Sequence, residues 1–480
     1  MPAIDFGQFS ERGRDSQAGD YRLVNGYIES RKSPGTQPGA WDRPGLLRWD
    51  SFEHAGPNRG LLFVRGKGIY SVQGNQLIRY VDATSSEVAG AISGSSDVGL
   101  ADGLGLVTMA SNMRTDIELG IVTEDGRYYF FNTQTGLLTE YAGGDLPGVR
   151  SIEFVDRYFV FALADGRFAH TELDDAGNID PLAFAFVESR PDGLKRIIEH
   201  RGSAIALGES SMEIYENAAT VPFAFAPIRS DVEIGLMATY AAARVKDALL
   251  WPDHHGEVQM MVGSEPERVS DHGLEILISE LTETQQSAMH AEYGFFQGHH
   301  LYILNSANWS YAFDTTERKW YEWSSHGGPN FLAQNSTQFG SRAIFGSRES
   351  GGLYYWDPSA HSDDGEPYAM VAQSATVMNF PYGGITHELT VNSVAGVGVT
   401  DGPSDAEDPK MMLDWSVDGG KTFTGGRLAS LGRIGEYQTK TTFRSLGRFG
   451  HKGVIYRLAS SSPVRRGILG ADARIDGLRA

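Results

Sequence analysis

Seven glycines, Gly74, Gly126, Gly166, Gly208, Gly256, Gly298 and Gly351, recur at intervals of 52, 40, 42, 48, 42 and 53 residues. After most of them comes a short, often aromatic run: QLIRYV, RYYFFN, RFAHTE, MEIYEN, VQMMVG, HLYILN, LYYWD. Before them lie further apolar runs, such as GLLFVRGKGIYSV and SIEFVDRYFVFAL. Alternating β-branched and aromatic residues suit half-buried strands, and the glycines suit the turns between them. A four-stranded unit repeated about every 40–45 residues leaves both its faces apolar, so it must stack on its neighbours and close into a ring. The chain is therefore expected to be all-β, with a β-propeller of six or seven blades.

The richest unit is Gly298–Trp323, GHHLYILNSANWSYAFDTTERKWYEW. It reads as an antiparallel meander whose turn, Asp314-Thr315-Thr316, bonds back on itself through short polar side chains. Two stretches interrupt the array. Thr84–Gly105 is rich in Ser, Gly and Ala and reads as an excursion between units. Ser270–Leu281 carries Leu274, Leu277, Ile278 and Leu281 at helical spacing, with Ser270 in the N-cap position.

Outside the array, residues 1–50 read as an extended arm that lies against the ring or the C-terminal domain, with a strand near Tyr21–Ile28. Residues 51–365 read as the propeller. Asp357–Glu366 reads as a polar linker, and 366–480 as a smaller C-terminal β-sandwich or barrel.

The chain has 58 Gly, 19 Pro and no Cys, which rules out disulfides, thiolate metal sites and a Cys nucleophile. The polar N-terminus lacks a signal-peptide core, and no run reaches the ~20 apolar residues of a membrane helix, so a soluble protein made in the cytosol is expected. The net charge of −20 argues against a binder held by phosphate contacts. That charge is uneven. Residues 421–480 hold 12 Lys+Arg and 3 Asp+Glu, leaving 29 basic and 58 acidic residues in 1–420. An acidic body thus carries a basic end, built from Arg427, Arg433, Lys440, Arg444, Arg448, Lys452, Arg457, Arg465 and Arg466. Arginine forks match carboxylates, which makes Arg427, Arg433, Lys440, Arg444, Arg448, Arg465 and Arg466 candidates for a subunit or partner interface. A solvated strand face is the plain alternative.

Ser416, Asp418, Gly420, Thr422 and Phe423 fit the SxDxGxT-aromatic pattern of an Asp box, a structural turn that sits away from the chemistry even in sialidases. Asp253-His254-His255, Asp271-His272 and His299-His300 carry metal-ligand types. Neighbouring strand side chains point to opposite faces, so turn and strand histidines are the better reading. No nucleophile elbow, Walker loop, HExxH or carboxylate dyad stands out. No catalytic, cofactor or metal site is expected.

Four segments resemble the packaged-DNA stabilisation proteins of short-tailed phages, also called tail hub or nozzle proteins. They are LVNGYIE with RPGLLRW (from Leu23 and Arg43), GPNRGLLFVRGKGIYSVQGNQL (from Gly56), the Gly298–Trp323 meander, and SVDGGKTFTGGRLASLGRIGEY (from Ser416) with the later LGR at Leu446. They occur in the family's order across nearly the whole chain. The resemblance implies a virion tail component without catalysis, assembled in the host cytoplasm. It implies a homo-hexameric ring below the portal and its adaptor ring that extends the DNA channel, retains packaged DNA and carries tail fibres or spikes. Double-stranded DNA would pass without specific binding, and no membrane span is implied. The competing reading is a carbohydrate-active propeller, a glycan hydrolase or lectin. It needs arginines in the propeller mouth, for which Arg65, Arg127, Arg167, Arg196, Arg201 and Arg229 are available.

Overall fold

Four-stranded antiparallel sheets recur along the chain at residues 58–91, 107–140, 149–186, 194–232, 243–268 and 290–323, and a seventh forms from 333–357. These are the blades of a seven-bladed propeller in a computed structural model that describes residues 3–6, 10, 21–30, 38–52, 54, 56–92, 105–187 and 193–478. The first strand of every blade lines one central cavity. Blade seven has three strands of its own, ending with Leu353–Asp357. Its fourth, Gly45–Arg48, comes from ahead of blade one and pairs antiparallel, Tyr355 opposite Leu47. The two ends of the array thus close on each other and no blade edge is left open at the seam. Gly45 is required there, because a Cβ would lie 2.3 Å from the backbone oxygen of Ser362. Blade seven is also tied to blade one: Gln334 donates to the Asn58 carbonyl at 2.6 Å and the Phe63 N–H donates to Thr337 at 2.9 Å.

The glycine register explains why blade number is ambiguous in the sequence. Gly74, Gly126, Gly166, Gly208, Gly256 and Gly351 all fall at the turn between second and third strands. Gly298 falls at the first turn of blade six, whose second turn is the glycine-free Ser306–Trp309. Within that blade the strands are His290–Phe296, His299–Asn305, Ser310–Asp314 and Lys319–Trp323. Asp314 accepts the N–H of Thr316 at 2.8 Å and of Glu317 at 3.3 Å, as a self-bonded turn should.

Two local expectations are corrected. Helix α1 spans His272–Ser279, and its cap is Asp271, which accepts from the Leu274 N–H; Ser270 instead accepts from Val258 of blade five. The helix buries Leu274, Leu277 and Ile278 against blades five and six, as their spacing predicts. The excursion expected over 84–105 begins as a strand, Ser85–Ala91, the outer edge of blade one; residues 93–104 lie outside the described residues.

The C-terminal domain is a two-sheet sandwich, and the N-terminal arm is woven into both sheets. One nine-stranded sheet runs from blade six outward. After Lys319–Trp323 come arm strand Arg22–Val24, in parallel, then Met370–Gln373, Ile455–Ser460, Lys410–Ser416 and Thr424–Ser430. The other sheet is ordered Gly26–Glu29, Gly39–Asp42, Gly467–Gly477, Gly384–Ser393 and Thr441–Phe449. The stretch near Tyr21–Ile28 is therefore two strands, broken at Asn25 (φ 53°) so that each joins a different sheet. One apolar core runs through Tyr321 and Trp323 of blade six, Phe345 and Trp356 of blade seven, Leu23 and Ile28 of the arm, and Leu389, Leu413, Phe443 and Leu458 of the sandwich. Burial at this scale, not any single contact, fixes the sandwich on the ring.

Candidate functional site

Arm, ring and sandwich meet at two buried arginines. Arg43 follows the arm strand Gly39–Asp42, and its guanidinium has no exposed surface. It donates to both carboxylate oxygens of Asp363 at 2.9 and 2.6 Å, to Asn25 Oδ1 at 3.0 Å and to the Ser324 carbonyl at 2.8 Å. Arg466, from the sandwich, donates to Asp42 at 3.2–3.3 Å and to the carbonyls of Tyr368 and Ser460 at 2.7 and 3.1 Å. The Tyr368 ring touches both cations, 3.9 Å from Arg43 and 4.5 Å from Arg466, and its hydroxyl donates to the Arg43 carbonyl. Burial would raise Asp42, but the His361 hydrogen bond at 2.7 Å and the Arg466 charge outweigh it and hold the carboxyl below its usual range. Each charge here is desolvated, so each needs its full set of partners. The segment expected as a polar linker, Asp357–Glu366, is thus corrected: it delivers Asp363, 3% exposed, into this lock. Sequence reasoning missed Arg43, Asp363 and Tyr368 because Arg43–Gly45 reads as turn chemistry and its partner lies 320 residues away.

Arg466 is likewise corrected as an interface residue, since it is 1% exposed and fully bonded inside the chain. The other six basic candidates are exposed. Arg465 stacks 4.5 Å over Trp41, and Arg433 lies 3.8 Å from Asp408. Arg427, Arg444 and Arg448 gather where the outer strands of the two sheets come together. Arg427 donates across that gap to the carbonyls of Arg444 and Ser445 at 2.6 and 3.1 Å. Arg444 pairs with Glu388 at 2.7 Å. Ser445 takes φ 58°, and this break lets Leu446 point inward while Arg444 and Arg448 stay outside. Lys440 precedes the strand Thr441–Phe449 and does not lie on its face. Among the described residues neither the Lys440 nor the Arg448 side chain has a hydrogen-bond or ion-pair partner.

The Asp-box residues form one turn. Asp418 accepts from Ser416 Oγ, from the N–H of Lys421 and Thr422, and from Thr422 Oγ1 at 2.6 Å, while Ser416 accepts from the Gly420 N–H. The Thr422 and Ser416 bonds hold the carboxyl far below its usual range. Phe423 packs under Arg457, 4.0 Å away. The strand pair divides as a strand requires: His299 bonds Asp314 at 2.5 Å, while His300 meets the Tyr293 hydroxyl at 2.8 Å; the turn pair His254 and His255 instead bring their rings within 3.9 Å of each other. Asp253 is a turn hub for the N–H of His255 and Glu257. Among the described residues no group of three or more His, Asp or Glu is placed to hold a metal ion, and no helix is long and apolar enough to cross a membrane.

The propeller's central cavity has a volume of about 1270 Å³. Of the six arginines available for a mouth cluster, Arg196 and Arg201 line it, joined by Arg157 and Arg244, whereas Arg127, Arg167 and Arg229 pair with Asp125, Asp165 and Glu265 and Arg65 is exposed in the first turn of blade one. Deeper, Glu292 (2% exposed) is pushed up to about 8 by burial, and burial pushes neighbouring His290 down to about 3. A raised carboxyl contributes stability that is complete below about 4.5 and is lost as pH rises toward 8. A depressed histidine loses stability as pH falls from 6.5. The two slopes offset between 4.5 and 6.5, so the net decline is expected from about pH 6.5 to 8 and amounts to roughly 2 kcal/mol. Urea midpoints across that range should fall for the native chain and stay flat for Glu292→Gln. Equal slopes would show that Glu292 is ionised throughout.

The comparisons with known proteins align with this architecture. A family profile described as "Bacteriophage P22 Gp10, beta-propeller" matches residues 15–361, and one described as "Bacteriophage P22 Gp10, beta-sandwich" matches 372–476. A search of curated proteins returns no match. Among solved structures the computationally designed Ika8 protein is similar over 65% of this chain and 99% of its own, at 13% identity and a TM-score of 0.40.

Proposed function

The chain belongs to the bacteriophage P22 Gp10 family, a family of phage tail structural proteins, and from that premise we propose that it is a passive ring subunit of the tail. In this reading six copies form a ring below the portal and its adaptor, extend the DNA channel, retain packaged DNA and give fibres or spikes a footing. Assembly takes place in the host cytoplasm, and the protein performs no catalysis. Residues 51–365 act as the ring-forming body, 366–480 as the docking domain with its basic end, and 1–50 as the strap between them.

The observation that carries the reading is the nine-stranded sheet running unbroken from blade six through the arm into the sandwich. A part that bears a pressurised genome needs its domains fixed, and a shared sheet with a shared core fixes them. The charge division supports the same role. An acidic body lets DNA slide past rather than adhere, because its field opposes the phosphates. Ring closure by head-to-tail contacts needs two different patches on each chain. The arginine-bearing edge of the sandwich and the acidic body are a complementary pair.

Arg448→Glu tests this contact directly. Its side chain is exposed and, among the described residues, has no bonding partner, so the monomer should melt as the native protein does. Ring assembly, followed by mass photometry against concentration and salt, should shift by about tenfold or more, since reversing an interfacial charge replaces attraction with repulsion. Assembly that is unchanged and insensitive to salt would remove this edge from the interface.

A further inference from the structure

Between blades six and seven lies a second cavity, of about 920 Å³, which shares His290 with the central one. Among the described residues, three groups on its walls are left short of hydrogen-bond partners. His290, 4% exposed, makes no hydrogen bond of normal geometry through either ring nitrogen; its Nε2 stands 3.5 Å from the Glu292 carboxyl, and only the Ala288 backbone comes near enough to ease its burial. Asn330 Oδ1 is buried and accepts nothing, although its Nδ2 is used by the Ala307 carbonyl. Arg348 is only partly exposed, and among the described residues its guanidinium has no hydrogen bond and no carboxylate within ion-pair distance. Burial pulls it below its usual range, with Glu292 and Glu349 too distant to compensate fully.

A largely desolvated guanidinium without a counter-ion is expensive, and so are buried donors and acceptors left unmatched. Such a set persists where a ligand completes it. We propose that this cavity binds an acidic sugar, with the carboxylate on Arg348 and His290 and a hydroxyl or amide on Asn330. A carboxylate is selected because Arg348 presents a planar fork of donors. A sugar, rather than a simple acid, is selected because the space is far larger than one carboxylate needs. The remaining wall also offers hydroxyls and amides, among them Thr284, Gln285, Ser325 and Ser347. Four acids share the wall: Asp363 is neutralised by Arg43, Asp364 accepts from Tyr354, Glu366 lies 3.9 Å from His326, and Glu349 is exposed, where solvent screens its charge. This site is independent of the ring contact proposed above, and either proposal survives failure of the other.

Calorimetric titration of the full chain tests it, with glucuronate and N-acetylneuraminate as probes and glucose and acetate as controls. At least one acidic sugar should bind tenfold or more tighter than glucose and acetate. Arg348→Gln should lose that binding by tenfold or more while melting normally. Ser350→Trp, which narrows the mouth without touching the buried groups, should weaken it too and guards against a folding artefact in the first variant. Binding of neither acidic sugar overturns the proposal. So does acetate bound as tightly as the sugars, which would mark an adventitious ion only, or an Arg348→Gln protein that binds as the native chain does.

Discussion

Asp363→Ala should destabilise the protein by about 3–5 kcal/mol, the range found when one partner of a buried ion pair is removed. The magnitude follows from what is left behind. Arg43 would remain with no exposed surface and without its two bonds to Asp363, at 2.9 and 2.6 Å. Its bonds to Asn25, Ser324 and Pro44 do not neutralise the charge. The same carboxylate also accepts from the Leu46 N–H in the strand that closes blade seven, and from Ser325 Oγ. The effect should therefore reach the seam of the propeller as well as the arm. Urea denaturation gives the loss, and limited proteolysis should show earlier cleavage near the arm and the 357–366 segment than in the native chain. The double variant Arg43→Met with Asp363→Leu should recover at least half of the loss, because two apolar groups replace an unpaired charge. A loss below ~1 kcal/mol for the single variant would show that water reaches Arg43, and that the junction is not the dry lock described.

What the sequence makes legible divides by how local the signal is. The period-two pattern around Leu301, Ile303 and Phe313, and the bonded turn at Asp314, depend on residues within one blade, and all three strands of that unit form. The Asp-box turn is equally local. Blade number is not, because one turn glycine, Gly298, serves a different turn of its blade, and because the last blade borrows its outer strand from residues 45–48. The C-terminal strand Gly467–Gly477 escaped for another reason. Its inward residues include Ala471 and Ala473, too small to print an apolar pattern, yet it is the central strand of its five-stranded sheet, between strands from both ends of the chain. Arg466 shows the limit most plainly. Beside Arg465 it reads as part of a basic surface, but one of the two faces solvent and the other closes on Asp42, 424 residues away. Charge in a sequence gives no sign of burial when the compensating carboxylate is that remote. For the same reason His290, Asn330 and Arg348, drawn from three separate loops and strands, have no sequence signature at all.

The second large effect is expected at Trp320→Ala, about 3–5 kcal/mol from truncating a large buried ring and leaving a cavity. The indole is 3% exposed, and it lies where blade six meets blade five. Its ring stands 4.9 Å from Phe313 and 6.3 Å from Tyr302, and its Nε1 donates to the Val269 carbonyl at 2.8 Å. Removal would therefore combine lost burial, lost ring contacts and an unbonded carbonyl at the outer strand of blade five. Packed blades cannot collapse into the void without moving their neighbours around the ring, which places the expected cost toward the upper end of the range. Trp320→Phe should restore the larger part of the packing while still losing the Val269 bond. Chemical denaturation of the three proteins at one pH separates these contributions. A loss below ~1 kcal/mol for the alanine variant would mean that the ring is solvated and that blades five and six are not joined through it.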